Sequence, residues 1–257
     1  MEWLGIVLAC EFDNFRLNHL HFSQIVDVSG DVVFKVTQLH PYASSMTRDP
    51  KLAARLLLAE RDELVPILRR MPIEKFDLPT ACTGWSVRDV LAHCAAALTR
   101  LTEDRVHDFC PKCNQEDIDD RRDHTITDIL DELESGYVTA GEALSRSDGR
   151  LDVIALGEWV HGGDVREALG EPNAYASAGI DAAITLLTSS NRVLKTPLTR
   201  VRTPDQEWLL GTAEPGRETA ELIAAVPTFI RLYTGRKAGP NDYRLRGASP
   251  EELVIYR

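Results

Sequence analysis

The residues with the most chemical potential lie in two short runs. The first, Gly84 to Cys94, reads GWSVRDVLAHC. Ser86 can cap a helix, Asp89 completes a variant of the capping box, and Trp85 and Val90 occupy the hydrophobic-staple positions. Counted from that start, His93 falls on the stripe Val90, His93, Ala97, beside Leu91, Cys94 and Leu98, so an imidazole turns toward the apolar face. The second run, Gly157 to Gly170, reads GEWVHGGDVREALG. On a helix, Ile154, Glu158, His161, Val165 and Ala168 share one face, which joins a carboxylate and an imidazole on an inward surface. Burying such groups is costly unless they are paired or bind a metal. Two such helices could supply His93, Glu158 and His161 as three N/O ligands with a fourth position open, the composition of a catalytic zinc site. A buried Glu–His pair with a distant His93 satisfies the same spacing, and the residues alone leave both open.

Three further features carry chemistry less directly. Cys110-Pro-Lys-Cys113, flanked by His107 and His124, has the spacing of a redox pair or of half a zinc site. It sits in an acidic stretch without a second such pair, so a structural or incidental role is expected. His19-Leu-His21 alternates as a strand would and reads as a surface pair. Arg236, after the last helical segment, could anchor a substrate carboxylate, but a solvated arginine is the simpler expectation.

The elements that must position these residues are mostly helical. From Met46 the chain reads MTRDPKLAARLLLAERDEL, with Asp49 as N-cap and Pro50 at the first helical position. Helices are expected over Pro50 to Met71 with a kink near Pro66, Ser86 to Arg105, Thr125 to Ser145, Leu151 to Leu169 and Ala178 to Leu194. Variable connections between four or five amphipathic helices describe a bundle. After Pro197 the pattern becomes a hairpin (Leu198 to Arg202 and Glu207 to Leu210), a helix from about Glu218 to Tyr233, and a last strand at Glu252 to Tyr256. Residues 1–45 differ in texture: they hold Phe12, Phe15, Phe22 and Phe34, and Asp31 to Gln38 favours strand. The expected division is an N-terminal extension (1–45), a helical bundle (46–196) and a small α+β unit (197–257).

The run Leu58 to Cys94, with an acidic residue early in the first helix, then Pro79-Thr80 and Gly-Trp-Ser-Val-Arg-Asp-Val-Leu-Ala-His, resembles the mycothiol-dependent maleylpyruvate isomerase family. Asn114 to Asp123 is similar to that family's inter-helix loop, Trp159 to Leu169 to its second ligand helix, and the stretch around Tyr233-Thr-Gly-Arg236 to its C-terminal domain. The resemblance implies a DinB-like metal-binding four-helix bundle followed by a small sterol-carrier-like α+β domain. It also implies an enzyme that uses a divalent metal, zinc, with mycothiol as cosubstrate, on a small electrophile. His93 and His161 are the implied ligands. In many relatives the acidic ligand stands four residues before the second His, whereas here that position is Gly157 and Glu158 stands three before. Glu158 is therefore the third candidate, with Asp164 as a fallback or orienting group. The alternative is a non-catalytic metal- or thiol-binding module with the same bundle.

Composition narrows the classes further. The 257 residues carry 29 Lys+Arg against 40 Asp+Glu, a net charge of −11, with 44% hydrophobic residues. Such a balance lacks the attraction to phosphate that nucleic-acid binders need, so small molecules are the expected partners. Five cysteines in a chain of this size point to a reducing compartment and a cytoplasmic location. No apolar run reaches the length of a membrane span. Acidic residues in the Glu116 to Asp123 stretch and on the third helix are expected to face solvent.

Overall fold

The computed structural model describes residues 20–26, 32–38, 48–106 and 110–256. Two compact units divide the chain, residues 1–48 and 49–257. In the first, strands β1 (Leu20–Val26) and β2 (Val32–Gln38) pair antiparallel, with Leu20 opposite Gln38 and Val26 opposite Val32. His19 and His107 lie outside the described residues.

In the second unit, α1 (Leu52–Leu68) retains Pro66 within its length, and the Asp49 carboxylate accepts the Lys51 N–H at 2.9 Å. Helix α2 (Val87–Thr102) opens on a complete capping box, in which Ser86 and Asp89 satisfy each other's backbone N–H. Helix α4 (Ile126–Arg146) opens the same way on Thr125 and Asp128. Between them lies α3 (Pro111–Asp120), where an inter-helix loop is expected from the sequence. That segment is polar on nearly every side, so it has no helical hydrophobic period to read. Pro111 at its start and a cysteine cap make it helical, and Asp117 and Ile118 anchor it inward.

Helix α5 (Asp152–Leu169) and α6 (Ile180–Ser189) follow, the latter continued by a 3₁₀ turn over Asn191–Lys195. The chain then forms a four-stranded sheet of order β4-β3-β5-β6, from β3 (Thr199–Arg202), β4 (Glu207–Leu210), β5 (Ala220–Ala224) and β6 (Tyr243–Arg246). The expected hairpin is β3-β4, with Thr199 opposite Leu210.

Two expectations fail in this part. The helix expected from Glu218 begins only at α7 (Val226–Tyr233), because Ala220 to Ala224 form β5, parallel to β3 and antiparallel to β6. Pairing on both edges, with Ala220, Leu222 and Ala224 buried, outweighs the weak local preference of that run. The strand expected at Glu252 to Tyr256 is instead a 3₁₀ turn, Pro250–Leu253, with a Ser249 capping box, and the edge strand lies earlier in the chain.

The molecule is thus mainly helical with a small four-stranded sheet. One apolar cluster runs from Ala53 to Ile255: Leu56, Leu98, Leu133 and Trp159 of the bundle are continuous with Phe229, Tyr233 and Ile255. No helix of the described residues is long and apolar enough to cross a membrane.

Candidate functional site

Helices α2 and α5 bring His93 and His161 together, with ring centroids 5.5 Å apart and the rings edge to face. Trp85, just before the α2 cap, packs against both, its ring 5.2 Å from that of His93 and 6.4 Å from that of His161. The capping box therefore sets where α2 begins and, with it, where both Trp85 and His93 point.

Each imidazole is oriented by a buried carboxylate. His93 Nδ1 lies 3.1 Å from Asp117 Oδ2, and Asp117 also accepts from Arg100. Asp117 belongs to α3 and is buried, contrary to the expectation that the acidic residues of this stretch face water. His161 Nδ1 lies 3.1 Å from Asp164 Oδ2, one turn further along α5. An imidazole whose Nδ1–H is given to a carboxylate presents Nε2 as its basic nitrogen. Burial, partly offset by the Asp164 hydrogen bond, pushes His161 down to about 4, so its ring is neutral at physiological pH.

Asp164 is the hub of a second cluster. It accepts from Tyr175, from Arg236 Nη2 at 2.6 Å and Nε at 3.0 Å, and from the Cys82 thiol at 3.3 Å. Burial alone would raise its pKa, but the bonds from His161 and Arg236 outweigh that and hold it far below the usual carboxylate range. The expected solvated Arg236 is in fact enclosed: the turn after α7 carries it back onto α5, where Asp164 provides a charge partner that sequence separation conceals. Cys82, not singled out from sequence, sits 3.6 Å from His161 Nδ1, with its thiol pushed up to about 12, first by burial and then by the Asp164 charge. The Thr80-to-Ser86 turn that precedes the α2 cap delivers it there, a position no helical period could indicate.

Glu158, on α5 one turn before His161, is almost wholly buried. Burial raises its carboxyl to about 8 against a hydrogen bond from the Cys94 thiol, and its Oε2 has no hydrogen-bond partner among the described residues. A second buried carboxylate, Glu60 of α1, accepts from Arg166 Nη1 at 2.8 Å, and burial raises it to about 7 despite that partner. Gly162 makes room for it, since a Cβ there would stand 1.7 Å from Glu60 Oε1; a Cβ on Gly163 would meet the Tyr175 ring at 2.5 Å. Both glycines are required by close approach.

Among the described residues, the group of potential ligand atoms all within 4.8 Å of one another is Cys82, His161 and Asp164. Glu158 and His93 stand outside that group. Its charge, however, is already balanced: the Arg236 guanidinium reaches Asp164 and lies 3.3 Å from His161 Nδ1, the position a cation would compete for.

Residues 57–171 match the sequence profile described as the mycothiol maleylpyruvate isomerase N-terminal domain. The helical part of this chain is similar to that domain. The fold is also similar to the crystal structure of a mycothiol-dependent maleylpyruvate isomerase, at 13% identity and a TM-score of 0.52, over 80% of this chain and 96% of that one. A histidine-to-alanine variant of that enzyme matches equally. At this identity the likeness shows the fold. No curated protein sequence matches.

Proposed function

We propose that this protein is a metal- and mycothiol-dependent enzyme acting on a small unsaturated electrophile, as an isomerase or thiol transferase, with His93, Glu158 and His161 holding one divalent ion, zinc. The observation that carries the reading is the pair of imidazoles 5.5 Å apart, each with Nδ1 on a carboxylate, together with a buried oxygen of Glu158, on the same helix as His161, that has no hydrogen-bond partner among the described residues. The donor types suit an ion: two imidazoles and one carboxyl oxygen would make a three-ligand N₂O set of the kind catalytic zinc sites use. The orphaned Oε2 of Glu158 costs stability unless a positive partner meets it. The cluster centred on Asp164 is less suited, because Arg236 and Tyr175 already saturate that carboxylate.

A bound zinc ion would lower the pKa of a thiol and so supply a thiolate at neutral pH. The chain's own residues do the rest. Asp117 and Asp164 hold the two rings in one tautomer and orientation, and Arg236 keeps Asp164 ionised in a buried position. Trp85 packs against both imidazoles. On a cis-unsaturated acid such as maleylpyruvate, the sulfur of the thiol adds to the double bond, the resulting single bond rotates, and loss of the thiol restores a trans double bond. The cosubstrate emerges unchanged.

Metal analysis of the purified protein tests the ligand set. About one zinc per chain, lost in His93→Ala and His161→Ala, is expected; equal and negligible content in all three overturns it. Turnover of maleylpyruvate or a generic electrophile that requires both mycothiol and zinc supports the enzymatic reading. Metal binding without turnover favours a non-catalytic module.

A further inference from the structure

We infer that Cys110 and Cys113 form a redox-active pair that exchanges electrons with low-molecular-weight thiols and disulfides. This goes beyond the proposed metal chemistry and does not rest on it. The two residues are joined as a disulfide, with Cα atoms 5.1 Å apart, inside the range a bridge spans. Cys110 is also the N-cap of α3, and its sulfur accepts the Cys113 N–H at 3.2 Å. When the bond is open, that N–H and the positive end of the helix favour the thiolate of Cys110. Lys112, between the two and exposed, adds a nearby positive charge, shared with Glu116 at 3.5 Å. Pro111 at the first helical position presets the turn, so the sulfurs stay within reach of each other whether or not they are bonded.

A structural role explains these features less well. The bridge closes a single helical turn and ties no two elements together, while Cys82 and Cys94 remain free thiols. Both bridged cysteines are half-buried and flanked by exposed Pro111 and Lys112, so a small thiol can reach them.

The chemistry balances with a small disulfide, RSSR, as oxidant. The Cys110 thiolate attacks one sulfur of RSSR; the Cys110–SR bond forms, the RS–SR bond breaks, and one RS⁻ leaves and takes up a proton. Cys113, giving its proton to solvent, then attacks the Cys110 sulfur, closing the protein disulfide and expelling the second RS⁻. Two electrons pass from the protein dithiol to RSSR, and excess RSH drives the reverse.

The test equilibrates the full-length protein in buffers spanning ratios of reduced to oxidised glutathione, followed by alkylation and mass spectrometry. A single two-electron transition confined to Cys110 and Cys113 is expected. In reduced Cys113→Ser, oxidised glutathione should leave one adduct on Cys110, formed about tenfold faster than on Cys113 in reduced Cys110→Ser. Circular dichroism of both variants checks that they are folded. A pair that stays fully oxidised or fully reduced across all ratios overturns the inference, as does equal reactivity of the two cysteines in folded variants. The wild-type titration decides the matter even where a variant does not fold.

Discussion

Asp117 and Glu60 show how single buried carboxylates act on this site. Asp117 supports His93 from α3 and is itself held by Arg100. Replacing it by Asn leaves the shape but weakens the acceptor that orients the ring, so zinc affinity should fall by about 10–100-fold, measured by competition with a chromophoric chelator. Glu60 titrates at about 7 rather than the ordinary 4.5, because burial outweighs the attraction of Arg166. The folded protein therefore keeps a proton on Glu60 between these values that the unfolded chain has lost. The contribution of this group to stability falls as pH rises through that window, by on the order of 3 kcal/mol. The melting temperature of wild type relative to Glu60→Gln should accordingly decline from about pH 5 to pH 8. His161, with its depressed pKa, acts with the opposite sign in both proteins, since the unfolded chain binds its proton first, and so cancels from the comparison. A difference that is flat with pH contradicts the assignment.

Helix α2 is the element on which the site depends most, because its first turn determines where Trp85 and His93 stand. Ser86→Ala removes the side-chain acceptor for the Asp89 N–H and should cost about 1 kcal/mol. For a unit of this size that is a fall of roughly 2–4 °C in melting temperature, measurable by calorimetry. Helix α5 depends instead on close approach. Gly163→Ala would drive a methyl into the Tyr175 ring, displacing the hydroxyl that bonds Asp164. A loss of roughly 1–3 kcal/mol is expected in denaturant titration. Both helices were legible in the sequence, since their caps and hydrophobic periods are local. Helix α3 was not, because a polar helix held by two inward residues has no period to detect, and β5 was not, because its strand state comes from partners on both edges.

At the scale of the whole molecule, the apolar cluster from Ala53 to Ile255 and the Arg236–Asp164 pair bind the C-terminal residues to the bundle. Tyr256 reinforces this by donating to the Val153 carbonyl at 3.1 Å. A fragment ending at Thr196 should therefore fail to unfold cooperatively, as followed by near-ultraviolet circular dichroism, because it leaves Asp164 charged and buried and strips the cluster of Phe229 and Tyr233. We propose that residues 1–45 are an extension. A chain starting at Met46 should then melt within a few degrees of the full protein, and a large loss of stability would contradict the proposal.

The helical class, the two histidine-bearing helices and the inward-facing Glu158 were determined by sequence alone, because caps and a 3.6-residue period act between residues that are close along the chain. The rest required tertiary structure. Asp117 reaches His93 across 24 residues, and Arg236 reaches Asp164 across 72. A buried charge is tolerated only where a partner meets it, and no local pattern records which distant residue that will be. Whether an acidic residue solvates the surface or orients a ligand is thus decided by packing.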